Sequence, residues 1–351
     1  MKCNHGFLSE ITILTLFLLP VHGARGQSAD QPSAQTTSNL THDNDKPVDT
    51  ARLHSPVLWH DPGAIAALDL YVGQGGKEGQ PAAPFKFESE DMSGTNPKFD
   101  ARDANGTKWR VKLGDEARPE VVASRLLWAV GYFVNDDYVI GTARVEGLHL
   151  ARGGKHARDG EIKDARFEKR PDQEKKIGTW MWKENPFTGS REFNGLRVMM
   201  AVMNNWDLKD VNNAVYSDKS SDREIFLASD IGATFGTNGL SWTRDRSKGD
   251  VDTFQRSKFI THQTDGTVDF GSPAAPTKIL AVKARQYQMR RDLEWIGKGV
   301  PIADARWIGS LLKQLNHQQL VDAFRAGHFP PDEIDAYVGV VEERILELGA
   351  L

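Results

Sequence analysis

Residues Ser190 to Gly236 read SREFNGLRVMMAVMNNWDLKDVNNAVYSDKSSDREIFLASDIGATFG. Phe193, Leu196, Met199, Met200 and Met203 recur at helical spacing. Ser190 suits the N-cap, and Glu192 falls in the first turn, where the helix dipole favours an acid. The periodicity stops at Asn204-Asn205-Trp206. Ala214 to Tyr216 and Ile225 to Ala228 then read as two strands around a turn at Ser217 to Asp222. A hairpin brings together residues placed symmetrically about its turn. Asn212 and Asp230 are symmetric about position 221, so the open end should hold an amide oxygen beside a carboxylate. Such a pair suits a hard cation that also binds phosphate oxygens. Asp207 stands five residues before Asn212 on the loop leading in.

Upstream, Phe85 to Glu88, Lys98 to Arg102 and Lys108 to Leu113 read as an antiparallel meander. Its turns are Ser93-Gly94-Thr95-Asn96-Pro97 and Ala104-Asn105-Gly106. Trp109, Val111 and Leu113 alternate with Lys108, Arg110 and Lys112. A helix follows, with Pro119 in its first turn and an apolar stripe of Val122, Ala123, Leu126, Leu127 and Val130. It ends at Gly131. Packed on the meander, that helix could aim Glu120 at Lys112, although a surface glutamate is the plainer expectation. One or two more strands are expected between Tyr132 and Leu150, and a charged surface loop with an irregular hairpin between Arg152 and Lys176. Gly73 to Gly79 has the glycines of a phosphate loop but is followed by Pro81 and Pro84 instead of a helix. It reads as a flexible turn. Thr237 to Pro276 reads as a long loop of the kind that lies over a site. Helices are expected at 303–315, 318–325 and 332–348.

The chain has 351 residues, 39% of them hydrophobic, enough for a substantial core. A net charge of −4 removes any bulk electrostatic case for nucleic-acid binding. The ten histidines form no pair at metal-ligand spacing. Cys3 is the only cysteine, so no disulfide is expected. Lys2, the apolar run Ile11 to Leu19 and Pro20 resemble a secretory signal over residues 1–24, with an uncleaved anchor as the alternative. The run is short for a membrane span. A secreted or periplasmic protein without a stable membrane anchor is therefore expected. Residues 25–55 are polar and read as a disordered linker, 56–150 as a β-rich lobe, and 151–351 as a mostly helical lobe.

This order of elements resembles the protein-kinase-like superfamily, in particular its atypical branches such as phosphatidylinositol 4-kinases, HipA-type toxins and secreted kinases. It is also similar to a group of secreted bacterial proteins. The resemblance runs from about Phe85 to the C-terminus. It implies an α+β, two-lobed fold with a small antiparallel β lobe carrying one helix and a larger helical lobe. It implies ATP and magnesium as cofactors and an unknown protein or small-molecule hydroxyl as acceptor. Lys112 would pair the nucleotide phosphates and Glu120 would orient it. Asp207-Leu208-Lys209-Asp210-Val211-Asn212 matches the catalytic loop. Asp207 would accept the acceptor's proton, Lys209 would neutralise the transferred group, and Asn212 and Asp230 would hold magnesium. Ser93, Gly94 and Thr95 would form the turn over the phosphates. Two departures stand out. Trp206 occupies the place of a basic residue, and the turn has one glycine where protein kinases have several. The other readings are a catalytically silent binding or interaction module and, more weakly, a metal-dependent hydrolase using Asp207 and Asp230.

Overall fold

The computed structural model describes residues 46–94, 96–154, 156–170, 174–218, 221–236, 249–271, 288 and 291–351. The expected signal segment, Thr95 and much of the long loop after Gly236 lie outside the described residues.

The strands are β1 (Pro56–Val57), β2 (Phe85–Asp91), β3 (Lys98–Arg102), β4 (Lys108–Lys112), β5 (Asp137–Glu146), β6 (Ala157–Arg158), β7 (Glu161–Lys169), β8 (Glu174–Gly178), β9 (Asn213–Asp218), β10 (Arg223–Ala228), β11 (Ile260–Gln263), β12 (Thr267–Phe270) and β13 (Val300–Pro301). The helices are α1 (Ala117–Ala129), α2 (Arg191–Val202), α3 (Val251–Arg256), α4 (Ile302–Leu312), α5 (His317–Ala326) and α6 (Pro331–Ala350). The chain is thus a mixture of helices and several sheets.

The six-stranded sheet has the order β4-β3-β2-β5-β7-β6, and β4 also pairs with β7. The meander β2-β3-β4 is antiparallel as its alternation predicts. The expectation of a wholly antiparallel sheet needs correction, because β5 joins β2 in parallel through Phe85↔Val145 and Lys86↔Glu146. One face of this sheet holds its own apolar core, including Phe85, Phe99, Trp109, Val111, Tyr138 and Phe167. The other face presents Lys112, Arg110, Asp100, Arg166 and Glu168, because successive side chains alternate. Helix α1 lies against β5 and β7.

The region 152–176, expected to be a charged surface loop with an irregular hairpin, holds such a hairpin in β6 and β7, but β7 is longer than a loop-borne strand and runs to Lys169 within the six-stranded sheet. Gly141 and Asp164 explain why β7 was hidden. The core-facing set changes parity there, from Ile162 to Ala165 and Phe167 on β7 and from Tyr138 to Ala143 on β5. Asp164 has φ of 46°. No single period of two runs through the segment.

The helical part begins as its pattern predicts. The Ser190 side chain accepts from the Phe193 amide at 3.1 Å and starts α2, whose Phe193, Leu196, Met199, Met200 and Val202 enter the main core. Strands β9 and β10 pair antiparallel, with Asn213 opposite Ala228. β1 pairs in parallel with β10, and β8 pairs with β9. Residues 46–55, expected to be disordered, instead hold a short 3-10 turn at Thr50–Arg52 and a bridge from Pro47 to Thr179. The expected loop 237–276 contains α3 and the β11–β12 hairpin. Helices α4, α5 and α6 stand close to the spans expected from periodicity. The glycine run 73–79 packs as a cap. A Cβ at Gly73 would meet the Arg125 guanidinium at 2.2 Å, and one at Gly75 would meet the Tyr138 hydroxyl at 2.2 Å. Among the described residues, no helix is long and apolar enough to cross a membrane.

Candidate functional site

Strand β4 ends at Lys112 and α1 begins at Ala117, five residues later, with Glu116 at its N-cap. This short connection places one turn of α1 directly beside the lysine. Lys112 Nζ lies 2.8 Å from Glu116 Oε2 and 3.0 Å from Glu120 Oε2. The third carboxylate comes from the other side of the cluster: Asp230 Oδ1 is 2.7 Å away. Gly232 allows this approach. A Cβ there would stand 2.8 Å from Glu116 Cβ and 2.9 Å from the Glu116 carbonyl oxygen. The Asp-x-Gly sequence is therefore a contact requirement as well as a motif.

The charges respond to this packing. Burial disfavours the Lys112 ammonium, but Asp230, Glu120 and Glu116 together hold it well above the ordinary lysine range. Burial pushes the Glu120 carboxyl up to about 8, against Arg166 and Lys112. The cost of charging Asp230 in the cleft is outweighed by Lys112, then by Arg166 and Lys98, and its carboxyl sits below the ordinary range. Half of the Asp230 side chain (51%) is open to solvent, so this carboxylate remains accessible while Lys112, at 8%, does not.

Behind Lys112 runs a buried chain of ion pairs that the sequence does not announce. Arg166 Nη1 donates to Glu120 Oε1 at 2.5 Å, and its Nη2 donates to Glu168 Oε2 at 2.5 Å. Arg170 Nη2 meets Glu168 Oε1 at 2.6 Å, and its Nη1 donates to the Tyr216 hydroxyl on β9 at 3.0 Å. Asp137 accepts from Ser124 Oγ at 2.9 Å, and burial pushes its carboxyl up to about 6. These groups fix Glu120 from behind and link the six-stranded sheet to the β9–β10 hairpin.

The loop after α2 is held by its own amides. Asn205 Oδ1 accepts from the Asp207 amide at 2.9 Å. Asn212 Nδ2 donates to the Asp207 carbonyl at 2.6 Å. Asp210 accepts from the Trp182 amide at 2.9 Å. Lys209 Nζ is 2.8 Å from Asp207 Oδ2. At the hairpin's open end, the Ser229 and Asp230 amides both donate to the Asn212 carbonyl, at 2.9 and 3.0 Å. Asn212 and Asp230 are therefore neighbours, as symmetry about the turn required.

The residues suit a magnesium ion only as a partial site. Among the described residues, Asn212 uses Nδ2 and Asp230 uses Oδ1 in their side-chain hydrogen bonds, so Asn212 Oδ1 and Asp230 Oδ2 are the hard oxygens that would serve it. Mg²⁺ characteristically takes one or two carboxylates and completes its shell with water and substrate phosphate. Among the described residues there is no group of three or more His, Cys, Asp or Glu arranged to hold a metal without such help.

The turn between β2 and β3 is braced from outside. Arg152 donates to the carbonyls of Asp91, Ser93 and Gly94 at 2.9, 3.3 and 3.0 Å. Asn96 Nδ2 donates to Glu116 Oε2 and so ties the turn to the lysine cluster. The expectation that Ser93, Gly94 and Thr95 all offer amides needs correction at Ser93. Its N–H is already bonded to Asp91 Oδ1 at 2.8 Å. Thr95 lies outside the described residues.

No protein-family model matches the chain. No curated protein matches it. Among solved structures it is similar to a Helicobacter pylori proinflammatory kinase, CtkA, at 10% identity over 77% of this chain and 98% of that one, with a TM-score of 0.36. A likeness at that TM-score carries no argument, and the functional reading of the chain rests on its own side chains.

Proposed function

We propose that the chain has a kinase-like, two-lobed fold and is an extracytoplasmic phosphotransferase that uses magnesium and ATP to phosphorylate a hydroxyl group. The observation that carries this reading is the convergence on Lys112. Glu120 from α1 and Asp230 from the end of the hairpin both lie within 3.0 Å of its ammonium. Asp207 and Asn212 stand on the loop that shares backbone hydrogen bonds with Asp230.

Phosphoryl transfer asks little covalent chemistry of the protein. It asks for cations at the developing negative charge and an aligned nucleophile. Lys112, steadied by Glu120, would receive phosphate oxygens at the mouth where Asp230 is exposed. Asn212 and Asp230 would hold the metal, which when bound neutralises phosphate charge. Asp207 would take the acceptor's hydroxyl proton. Lys209, 2.8 Å from that carboxylate, would orient it and meet the transferred group.

A thermal-shift titration with ATP and magnesium tests the reading, repeated with Asp230→Ala and followed by a phosphate-transfer assay. Stabilisation of the wild type that Asp230→Ala abolishes, together with transfer, is the expected result. No stabilisation overturns it. Stabilisation without transfer to any acceptor favours the catalytically silent binding module.

A further inference from the structure

Sheet register places a second lysine at the phosphate turn. Lys98 on β3 pairs directly with Lys112 on β4, so the two side chains stand side by side on one face of the sheet. Lys98 also starts the strand that leaves the turn. A Cβ at Gly94 would lie 3.6 Å from Lys98 Nζ, so the ammonium sits against the turn backbone.

The other cations on this face have close carboxylate partners. Lys112 has three. Arg110 bonds Asp100 and lies 2.5 Å from Asp91. Lys108 is 3.0 Å from Asp100. Arg166 is 2.5 Å from both Glu120 and Glu168. Lys98 reaches Asp91 at 3.6 Å, longer than a hydrogen bond, and Asp91 is already engaged by Arg110 and by the Ser93 amide. Burial lowers the Lys98 pKa more than Asp91 lifts it, and Arg110 and Lys112 add to the fall. The result is a lysine whose side chain is a quarter exposed (25%), whose ammonium has no hydrogen bond shorter than its 3.6 Å approach to Asp91 among the described residues, and which lies in electrostatic reach of Asp230.

Among the described residues of the turn, one backbone donor is already spent. The turn has one glycine, and the Ser93 N–H is spent on Asp91. A polyphosphate chain lying from Lys112 and Asp230 toward Gly94 would pass Lys98. We infer that Lys98 is a second phosphate-contacting residue of the site, supplying by side chain the positive charge that a glycine-rich turn would supply by backbone amides. This rests on the phosphotransferase reading and names the part of the ligand that Lys98 contacts. The ligand class is a nucleoside polyphosphate, and the contact is to its phosphate chain and not to its nucleoside.

The test measures binding of Mg-ATP, Mg-tripolyphosphate and adenosine to the full chain by calorimetry. Wild type, Lys98→Gln, Lys98→Arg and Asp230→Ala are compared, and thermal melting of each variant checks folding. Lys98→Gln is expected to weaken Mg-ATP and tripolyphosphate about ten- to a hundredfold, the worth of one charged hydrogen bond. Adenosine binding should not move, and Lys98→Arg should recover most of the loss. Unchanged Mg-ATP affinity in Lys98→Gln, with binding abolished by Asp230→Ala, overturns the role of Lys98 and leaves the phosphotransferase reading standing. Equal loss for adenosine also overturns it, because the residue would then act on structure. Failure of the wild type to bind Mg-ATP or tripolyphosphate overturns both.

Discussion

Lys112 Nζ lies 2.7 Å from Asp230 Oδ1, although 118 residues separate them in the chain. The pair joins the end of β4, which is flanked by β3 and β7, to the end of the β9–β10 hairpin. Lys112 is buried and Asp230 is half exposed, so the contact closes the inner side of the site and leaves its outer side to solvent.

Removing the ammonium from this cluster should be costly. Lys112→Met leaves Glu116 and Glu120 facing each other without their shared cation, and breaking a buried pair from one side typically costs about 3–5 kcal/mol. Urea unfolding should show that loss. A second change, Glu120→Gln, should recover part of it, because it removes one of the two acids that shared Lys112 while Arg166 keeps Glu168 as its partner. Equal stability of the single and double variants would count against the pairing.

Gly232→Ala tests whether the Asp-x-Gly glycine is a contact requirement. The added methyl would stand 2.8 Å from Glu116 Cβ, so α1 or the loop must shift. A destabilisation of about 1–3 kcal/mol is expected. Loss of Mg-ATP binding should accompany it, because Glu120 moves with α1. Wild-type affinity in this variant would show that the close approach serves packing alone.

Asp207→Asn keeps the shape of the loop and removes the proposed proton acceptor. Mg-ATP affinity and melting temperature should stay near wild type, while the transfer rate should fall about 10²–10⁴-fold. A rate within severalfold of wild type would exclude Asp207 as the base.

Arg152→Ala removes three donors from the carbonyls of the β2–β3 turn. Hydrogen exchange of the amides from Met92 to Asn96 should accelerate, while the exchange of α2 stays unchanged. A loss of about 1.5–3 kcal/mol is the upper expectation, since the bonds are charge-assisted.

Glu120 gives stability a pH dependence. Its carboxyl is raised from an ordinary 4.5 to about 8 in the folded chain. Between those values the folded protein holds a proton that the unfolded chain has released, so stability falls as pH rises through that window. His60 and His328 are shifted down by burial and act oppositely, raising stability as pH rises toward their ordinary 6.5. The informative quantity is therefore the difference between wild type and Glu120→Gln in chemical denaturation. The wild type should lose more stability than the variant as pH climbs to about 8. Parallel profiles would refute the raised carboxyl.

Local pattern determined a good part of this protein. The period of α2, its Ser190 cap, the β9–β10 hairpin and the consequent meeting of Asn212 with Asp230 could all be read from residues close in the chain. The alternation of β4 likewise set Lys112 on the face opposite Trp109 and Val111. These are short-range matters of side-chain period and turn chemistry. The burial of Arg166 and Glu168 was not legible, because a charged residue is buried only where partners meet it. Here those partners are Glu120, 46 residues away from Arg166, and Arg170 beside a tyrosine of another sheet. The parity change at Gly141 and Asp164 also masked β7 from any reading based on alternation. Lys98 was visible as one of several lysines on a strand. Only register, which set it against Lys112, and the competition of Arg110 for Asp91 distinguished it. Tertiary pairing decided these points, because the energy of an ion depends on what stands within a few ångströms of it.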